Sequence, residues 1–412
     1  MAGFDPGFFL VANFLIISTG LFALRAVAPH ANVMRVAFTL VGAYLLYLVA
    51  PRFVVFFFGF WIIVWLIQLG MSYLEDLENR YLSRLLTALG ISIPLLPLFL
   101  WKLFPEFFIM NLNESFSKFL WTVFPSLGYA DAIVAIAVPL GLSFSIFRAL
   151  DMIIKVRLEQ LDPLRIDRVL YYGFFPPVLA VGPIIEYEEV KLEGRLDRFP
   201  QSGDFAVGGI RVLLGAVKIF LLSILITHAA SLSWADGTSV VGAWAAILLY
   251  ALYFYVNFSG YSDLAIGASR FFGFRLKENF DNPYFKTNPS AFWNAWHMSL
   301  TRWVYRYVFV PLGGMRQSRQ YIAIFATIMV IALWHDISLP LLIFGFYHGA
   351  GLLIHRYFSN KRIERGEEPS SNPLVLFGKG VALFVFVSLS LPLHSLDLTE
   401  IPAFYINLIP GI

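Results

Sequence analysis

The chain contains no cysteine and has few charged residues for its length. The missing cysteine excludes disulfide-stapled secreted modules, thiol nucleophiles, iron–sulfur clusters and thiolate zinc sites. Only 14% of the 412 residues are Asp, Glu, Lys or Arg, whereas a soluble protein averages about 25%. The net charge is +3, and the basic residues form no stripe of the kind that binds nucleic acid. The low charge excludes a protein whose whole surface faces water. The scattered basic residues predict no nucleic-acid partner.

Apolar residues are correspondingly abundant, at 58% of the sequence, and the mean hydropathy is +0.72. Runs of this length are predicted to be helices, because lipid satisfies no open backbone groups. We therefore expect an all-α polytopic membrane protein with about ten transmembrane helices, forming one integral membrane domain over residues 1–412. The ten apolar runs fall near 8–24, 36–50, 53–71, 85–101, 132–147, 213–230, 241–262, 321–334, 337–354 and 374–393.

The charges are concentrated between these runs. Of the 57 charged residues, 43 fall in four windows, 72–84, 148–211, 263–319 and 356–379. Loops rich in Lys and Arg usually face the cytoplasm. If all four windows are cytoplasmic, the number of spans between them is consistent with the alternation of sides. Both termini then lie on the other side of the membrane.

The apolar segment 169–185 does not fit this alternation, because the charged residues on both of its flanks are predicted to be cytoplasmic. It contains Pro176 and Pro177 and the pair Gly182-Pro183, which do not continue a regular helix. The sequence therefore predicts a re-entrant segment that enters the membrane and returns on the same side. Such backbone is tolerated at membrane depth only where protein or water satisfies it, so a cavity is expected nearby.

The stretch 291–308 has the periodicity of one continuous amphipathic helix. Its apolar face places His297 among tryptophans rather than in water. An interfacial helix with an aromatic belt, in which His297 is merely hydrogen-bonded, explains the same pattern. The residues of this face are Trp293, Trp296, His297, Leu300, Val304 and Tyr307.

The stretch 321–355 is too long for one span, since 35 residues would extend beyond about 50 Å. Two passes are predicted, and the first, of about 14 residues or ~21 Å, stops short of the far surface. His335 and Asp336 then lie within the membrane, where ionisable residues are costly and usually line a cavity. A polar turn that meets the outer headgroups is the alternative.

The other histidines are weaker candidates. His348 is expected to be packed within a helix, and His355 to lie at the membrane interface. His394 is expected to lie at the end of a span, where histidine is common. Few carboxylates lie near any of them, so no catalytic metal site is predicted.

Five motifs follow one another in an order that resembles the membrane-bound O-acyltransferase family, in its bacterial cell-envelope branch. They are Asn257–Gly267, Glu278–Tyr284, Phe292–Leu300, Pro311–Gly314 and Leu333–His335. With upstream matches at 140–149 and 181–183, the resemblance covers a core of about 140–355. The upstream part is similar to the membrane protein of teichoic-acid D-alanylation, and the later motifs to polysaccharide O-acetyltransferases such as those of alginate.

The resemblance implies an enzyme that moves a small acyl group, acetyl or D-alanyl, across the membrane through a central tunnel. The donor is a cytoplasmic thioester, acyl-CoA or an acyl-carrier protein, and no bound cofactor is expected. The acceptor is an exported polysaccharide or cell-envelope polymer, an extracytoplasmic transferase is the expected partner, and the bacterial inner membrane is the expected location. His335 and His297 match the family's catalytic positions. Predicted tunnel residues are Asn257, Ser262, Asp263, Trp296, Trp334 and Asp336.

Two other classes stay open on the residues alone. In a proton-coupled transporter or flippase, His335, Asp336 and Asp263 would relay protons. The other is an inactive scaffold that docks an extracytoplasmic transferase. Asp336 stands where the family has a glycine after its histidine, and a site degenerate at this position would permit such a role.

Overall fold

The part of the chain described by a computed structural model is mainly helical and contains no strand. The predicted all-α fold class is therefore confirmed. The first apolar run, 8–24, lies almost entirely outside the described residues. These residues are 20–21, 23–25, 27, 30–49, 51–76, 80–103, 130–179, 181–193, 200–235, 239–396 and 398–409.

The chain divides into two compact units, and the first comprises Met1–Ile210 with Ala265–Leu276. Its core is rich in aromatic side chains, and a short 3-10 turn separates two of its smaller helices. The described helices of this part are α1 (Ala31–Val49), α2 (Pro51–Asp76), α3 (Arg80–Leu103), α4 (Ala130–Arg157), α5 (Ile166–Gly173), α6 (Tyr187–Val190) and the beginning of α7 (Ser202–Val217).

The second unit comprises Arg211–Leu264 and Lys277–Ile412. A π-helical turn follows α7, and another, Tyr305–Phe309, follows α11. The helices described here are α8 (Ser223–Ala235), α9 (Val240–Phe271, whose last turns belong to the first unit), α10 (Pro289–Ala295), α11 (Met298–Val304), α12 (Gln320–His335), α13 (Leu339–Glu364), α14 (Pro373–Ser390), α15 (Pro392–Ser395) and α16 (Ile401–Ile406).

Six stretches of helix in the described part are long and apolar enough to cross a membrane. A further apolar helix, α12, is shorter. Every predicted apolar run after the first coincides with a described helix, so the predicted positions agree with the structure. The total of ten spans stays a prediction. The six stretches are Ala31–Leu48, Phe53–Leu74, Tyr81–Leu100, Ser202–Ala229, Val240–Phe271 and Pro373–His394.

The segment 169–185 is irregular, as its prolines predict. Helix α5 ends at Gly173, and a 3-10 turn follows at Pro176–Val178. The carbonyls that α5 leaves unpaired are met by Arg148, which is 1% exposed. Its guanidinium donates to the backbone oxygens of Tyr172 at 2.9 Å and Gly173 at 3.3 Å. A buried cation thus replaces the helical hydrogen bonds that the chain gives up at this point.

The re-entrant topology predicted for this segment requires that its two flanks are accessible from the same side. Because the chain has no cysteine, Arg165→Cys and Lys191→Cys each create a single reactive site. We expect a membrane-impermeant maleimide to label both in inverted vesicles and neither in right-side-out vesicles. Ser239→Cys, in the loop predicted to lie on the other side, is the control with the opposite pattern. Labelling of the two flanking sites from opposite sides would contradict the prediction.

Candidate functional site

The predicted continuous helix over 291–308 is wrong, because the helix breaks at His297. Helix α10 ends at Ala295 and α11 begins at Met298. Between them His297 has φ 44° and ψ 53°, a left-handed conformation uncommon for residues other than glycine. Its ring Nδ1 accepts the backbone N–H of Leu300 at 3.2 Å, so His297 is the N-cap of α11. Helical periodicity depends only on which residues are apolar, so it does not indicate such a cap.

A second side chain stabilises the same break. Asn279 is fully buried, and its side-chain oxygen accepts both the backbone N–H of Ser299 at 3.1 Å and the Ser299 hydroxyl at 2.8 Å. Its backbone oxygen accepts the N–H of Met298 at 2.8 Å, and its Nδ2 donates to the Ser262 hydroxyl at 3.0 Å. These bonds fix the start of α11, and they assign Ser262 a structural contact.

His335 is the last residue of α12. This helix has 16 residues, or about 24 Å at 1.5 Å per residue, which is less than a bilayer core of ~30 Å. The predicted short pass is therefore present. The His335 ring contacts the rings of Trp334 and His394 at centroid distances of 4.6 and 4.7 Å.

His297 and His335 line the same small cavity, here called the inner cavity. Its volume is about 40 Å³, enough for a group of a few atoms, since one water needs ~10–15 Å³. Its wall consists mainly of aromatic rings, among them Phe254, Phe292 and Trp296. The inner cavity is thus a small, largely apolar chamber with imidazoles in its wall.

Two further histidines, His348 and His394, also line the inner cavity, and the sequence did not single them out. The Nε2 of His348 lies 2.9 Å from the Ser390 hydroxyl. His394 packs against Phe344, at a centroid distance of 4.6 Å, as well as against His335. The low charge of the surrounding sequence is the available signal for His348, because a buried ionisable residue in such a stretch needs a reason.

A larger chamber, the polar cavity, adjoins the inner cavity. Its volume is about 560 Å³, and its wall contains the polar side chains of Asn294, Gln320, Arg356 and Asn360. Trp293, Thr301 and Ile331 line both cavities, so the two chambers share one wall.

The remaining predicted tunnel residues do not share one cavity wall. Trp296 lines the inner cavity, and Trp334 contacts the ring of His297 at a centroid distance of 6.2 Å. Asn257 donates to the Ser223 hydroxyl at 3.4 Å, and Asp336 is the exposed C-cap of α12.

Asp263 is buried among cations. Its carboxylate accepts hydrogen bonds from Arg211 and, at 2.6 Å, from the Lys218 ammonium. Arg211 also pairs with Glu278. Asp263 therefore belongs to an ion-pair network. It lies in the wall of neither cavity. Its tunnel role, like that of Asn257, Ser262 and Asp336, stays a prediction.

The four imidazoles of the inner cavity do not converge as metal ligands. Across the described residues, the one group of three side chains with metal-like spacing is Asp151, Glu186 and Glu188 in the first unit. The Lys155 ammonium lies between these carboxylates, at 3.2, 2.8 and 2.9 Å. This group is therefore an ion-pair cluster built around a lysine.

Comparison with known proteins assigns the family. The model of the membrane-bound O-acyltransferase family matches residues 155–362, which is half of the chain and contains α10 to α12 with His297 and His335. The chain belongs to this family. It is accordingly a multi-pass membrane protein, and the resemblance drawn from its motifs is confirmed.

Three relatives show how the similarity is distributed. The probable alginate O-acetylase of Pseudomonas aeruginosa is 31% identical over 277 residues, which cover 65% of this chain and 51% of the relative. The peptidoglycan O-acetyltransferase of Helicobacter pylori is 31% identical over 201 residues, 47% of this chain and 38% of the relative. The teichoic acid D-alanyltransferase of Streptococcus thermophilus is 24% identical over 380 residues, 87% and 84% respectively. The chain thus spans about half the length of its alginate relatives.

Proposed function

We propose that the protein transfers a small acyl group from a thioester donor to hydroxyl groups of an exported polysaccharide or cell-envelope polymer. The observation that carries the proposal is the meeting of His297 and His335 in the wall of one small cavity. Imidazole is the side chain best suited to move a proton near neutral pH. A volume of about 40 Å³ suits an acetyl or alanyl group better than a long acyl chain.

The polar cavity has the properties of a site for the arm of the donor. Acyl-CoA and acyl-carrier proteins both present their thioester on a flexible chain with two secondary amides. The amide side chains of Asn294, Gln320 and Asn360 offer both donors and acceptors to such a chain. Its thioester would reach the shared wall, with the acyl group in the inner cavity.

In the proposed reaction His335 is the general base. The acceptor hydroxyl gives its proton to the neutral imidazole while its oxygen attacks the thioester carbonyl carbon. The carbon–sulfur bond then breaks, and the imidazolium gives its proton to the departing thiolate. The products are an ester on the acceptor and a free thiol on the donor.

His297 complements this base as a neutral donor. Because its Nδ1 accepts the Leu300 N–H, the proton of the neutral ring is on Nε2. Burial lowers the pKa of His297 to about 3, so the ring stays neutral at physiological pH. A neutral imidazole that presents an N–H is suited to hold and polarise the carbonyl of the donor.

The acceptor side of the proposal is supported by the printed names of the relatives, which concern alginate, peptidoglycan and teichoic acid. All three are polymers of the bacterial exterior that carry hydroxyl groups. We therefore place the protein in the bacterial inner membrane, with the donor on the cytoplasmic side. An extracytoplasmic transferase that relays the acyl group to the polymer is the proposed partner.

Purified protein in proteoliposomes tests the proposal. Labelled acetyl-CoA or D-alanyl-carrier protein is added outside. Alginate, peptidoglycan or teichoic-acid oligomers are enclosed, with and without the extracytoplasmic protein fraction of the source cells, which supplies the proposed partner. We expect labelled ester on at least one oligomer together with stoichiometric free thiol. Absence of thiol release with every donor and acceptor pair would refute an acyltransferase.

Two variants of His297 separate its proposed role from its structural one. Asn tolerates the left-handed conformation and caps helices well, so His297→Asn should fold like the wild type. It lacks the imidazole N–H, and we expect donor-dependent turnover to fall by about 10²-fold or more, the usual scale for such a donor. His297→Ala loses cap and imidazole together and should also unfold at a lower temperature. Wild-type turnover in His297→Asn would show that His297 acts only as a helix cap.

A further inference from the structure

The wall shared by the two cavities contains a buried donor without an acceptor. The indole nitrogen Nε1 of Trp293 is inaccessible to solvent and has no hydrogen-bond partner among the described residues. The large majority of buried side-chain polar atoms in proteins are hydrogen-bonded. Trp293 lines both the inner and the polar cavity, so an acceptor that binds in either chamber and displaces the atoms that now cover Nε1 would satisfy this N–H.

The neighbouring His348 ring also has an unpaired nitrogen, but that nitrogen is a hydrogen-bond acceptor rather than a donor. The Ser390 hydroxyl donates to the Val387 oxygen at 2.7 Å, so the Nε2 of His348 is the donor in its 2.9 Å contact with Ser390. In a neutral ring Nδ1 is then an acceptor, and it is unpaired. A carbonyl oxygen needs a donor, and of these two groups only Trp293 supplies one.

Trp293 is held in place by contacts that do not use its N–H. Its ring packs nearly perpendicular to those of Phe292, at a centroid distance of 5.5 Å, and His348, at 5.3 Å. Its backbone oxygen accepts the Thr301 hydroxyl at 2.9 Å. A hydrogen bond from Nε1 to a substrate would leave all of these contacts in place.

We propose that Trp293 is a catalytic residue whose Nε1–H donates a hydrogen bond to the carbonyl oxygen of the acyl thioester. This inference rests on the proposed acyl transfer. When the acceptor oxygen attacks the carbonyl carbon and His335 takes its proton, the carbonyl oxygen gains negative charge. The indole N–H stabilises that charge until the carbon–sulfur bond breaks, the carbonyl forms again and the thiolate takes the proton from His335.

Trp293→Phe removes this N–H and keeps an aromatic ring. We expect kcat for acetyl-CoA to fall by about 10²–10³-fold, the usual loss for one oxyanion donor, with KM for acetyl-CoA nearly unchanged, because the bond strengthens in the transition state. Trp65→Phe is the matched control, since the Trp65 indole N–H is also buried and unpaired but lies in neither cavity wall. Its kcat should equal that of the wild type.

Trp293→His separates the lost N–H from lost packing, because a histidine is no larger than phenylalanine and keeps a ring N–H. With rates normalised to folded protein, we expect Trp293→His to exceed Trp293→Phe at least tenfold. Equal rates in the two variants, or a raised KM with unchanged kcat, would overturn the proposal and leave Trp293 a packing residue. If the wild type transfers acetyl groups while Trp293→Phe matches it, only this inference fails; if the wild type transfers none, the proposed function fails first.

Discussion

His335→Gln is expected to insert and fold like the wild type and to transfer acyl groups about 10²–10⁴-fold more slowly, the usual cost of losing a general base. Glutamine keeps hydrogen-bonding capacity but does not take the hydroxyl proton. His335→Ala should be equally slow. The measurement is the initial rate of acyl transfer in proteoliposomes, together with thermal unfolding in detergent.

The control for this variant is His355→Gln. His355 lies in α13 and is not part of either cavity wall, so its rate should stay at the wild-type level. Near-wild-type transfer by His335→Gln or His335→Ala would refute the role of general base. A rate that falls in parallel with the folded fraction would instead assign His335 to the polar turn considered from the sequence.

Arg148→Met is expected to lower the free energy of unfolding by roughly 2–6 kcal/mol, because two buried carbonyls lose their donor at about 1–3 kcal/mol each. Methionine fills much of the same volume, so the loss reports the polar contacts of the guanidinium rather than an empty space. These are the hydrogen bonds to Tyr172, Gly173 and Ser145. The cation–π contacts with the rings of Trp61 and Tyr172, at 5.6 and 5.5 Å, would be lost as well.

Thermal or denaturant unfolding in detergent measures this effect. The matched control is Arg165→Met in the same unit, since the Arg165 side chain is 70% exposed and surface substitutions usually stay within about 0.5 kcal/mol. An Arg148→Met protein as stable as this control would show that the end of α5 does not depend on the buried cation.

The distribution of hydrophobic and charged residues was sufficient to predict helices, their approximate positions and the membrane. Lipid permits few backbone conformations, so hydropathy alone restricts the fold class strongly. The short pass ending at His335 followed from the same reasoning, because helix length per residue is fixed. The break near Pro176 was equally readable, since proline acts locally.

Local periodicity failed at His297, where the helix is interrupted and contacts from a distant segment fix the start of α11. The break depends on Asn279, which binds Met298 and Ser299 from a different segment. Such a long-range contact leaves no periodic signal in the sequence, and the apolar face predicted for 291–308 is shared by two short helices instead of one.

The sequence by itself determined that this protein is helical, embedded in a membrane and equipped with two histidines in family motifs. Only the tertiary structure decided which other residues join them. His348 and His394 reach the inner cavity from α13 and α15, and Trp293 lies in the wall between two chambers. The reason is physical: apolarity and helix length are properties of consecutive residues, whereas a cavity wall is assembled from segments that meet only after packing.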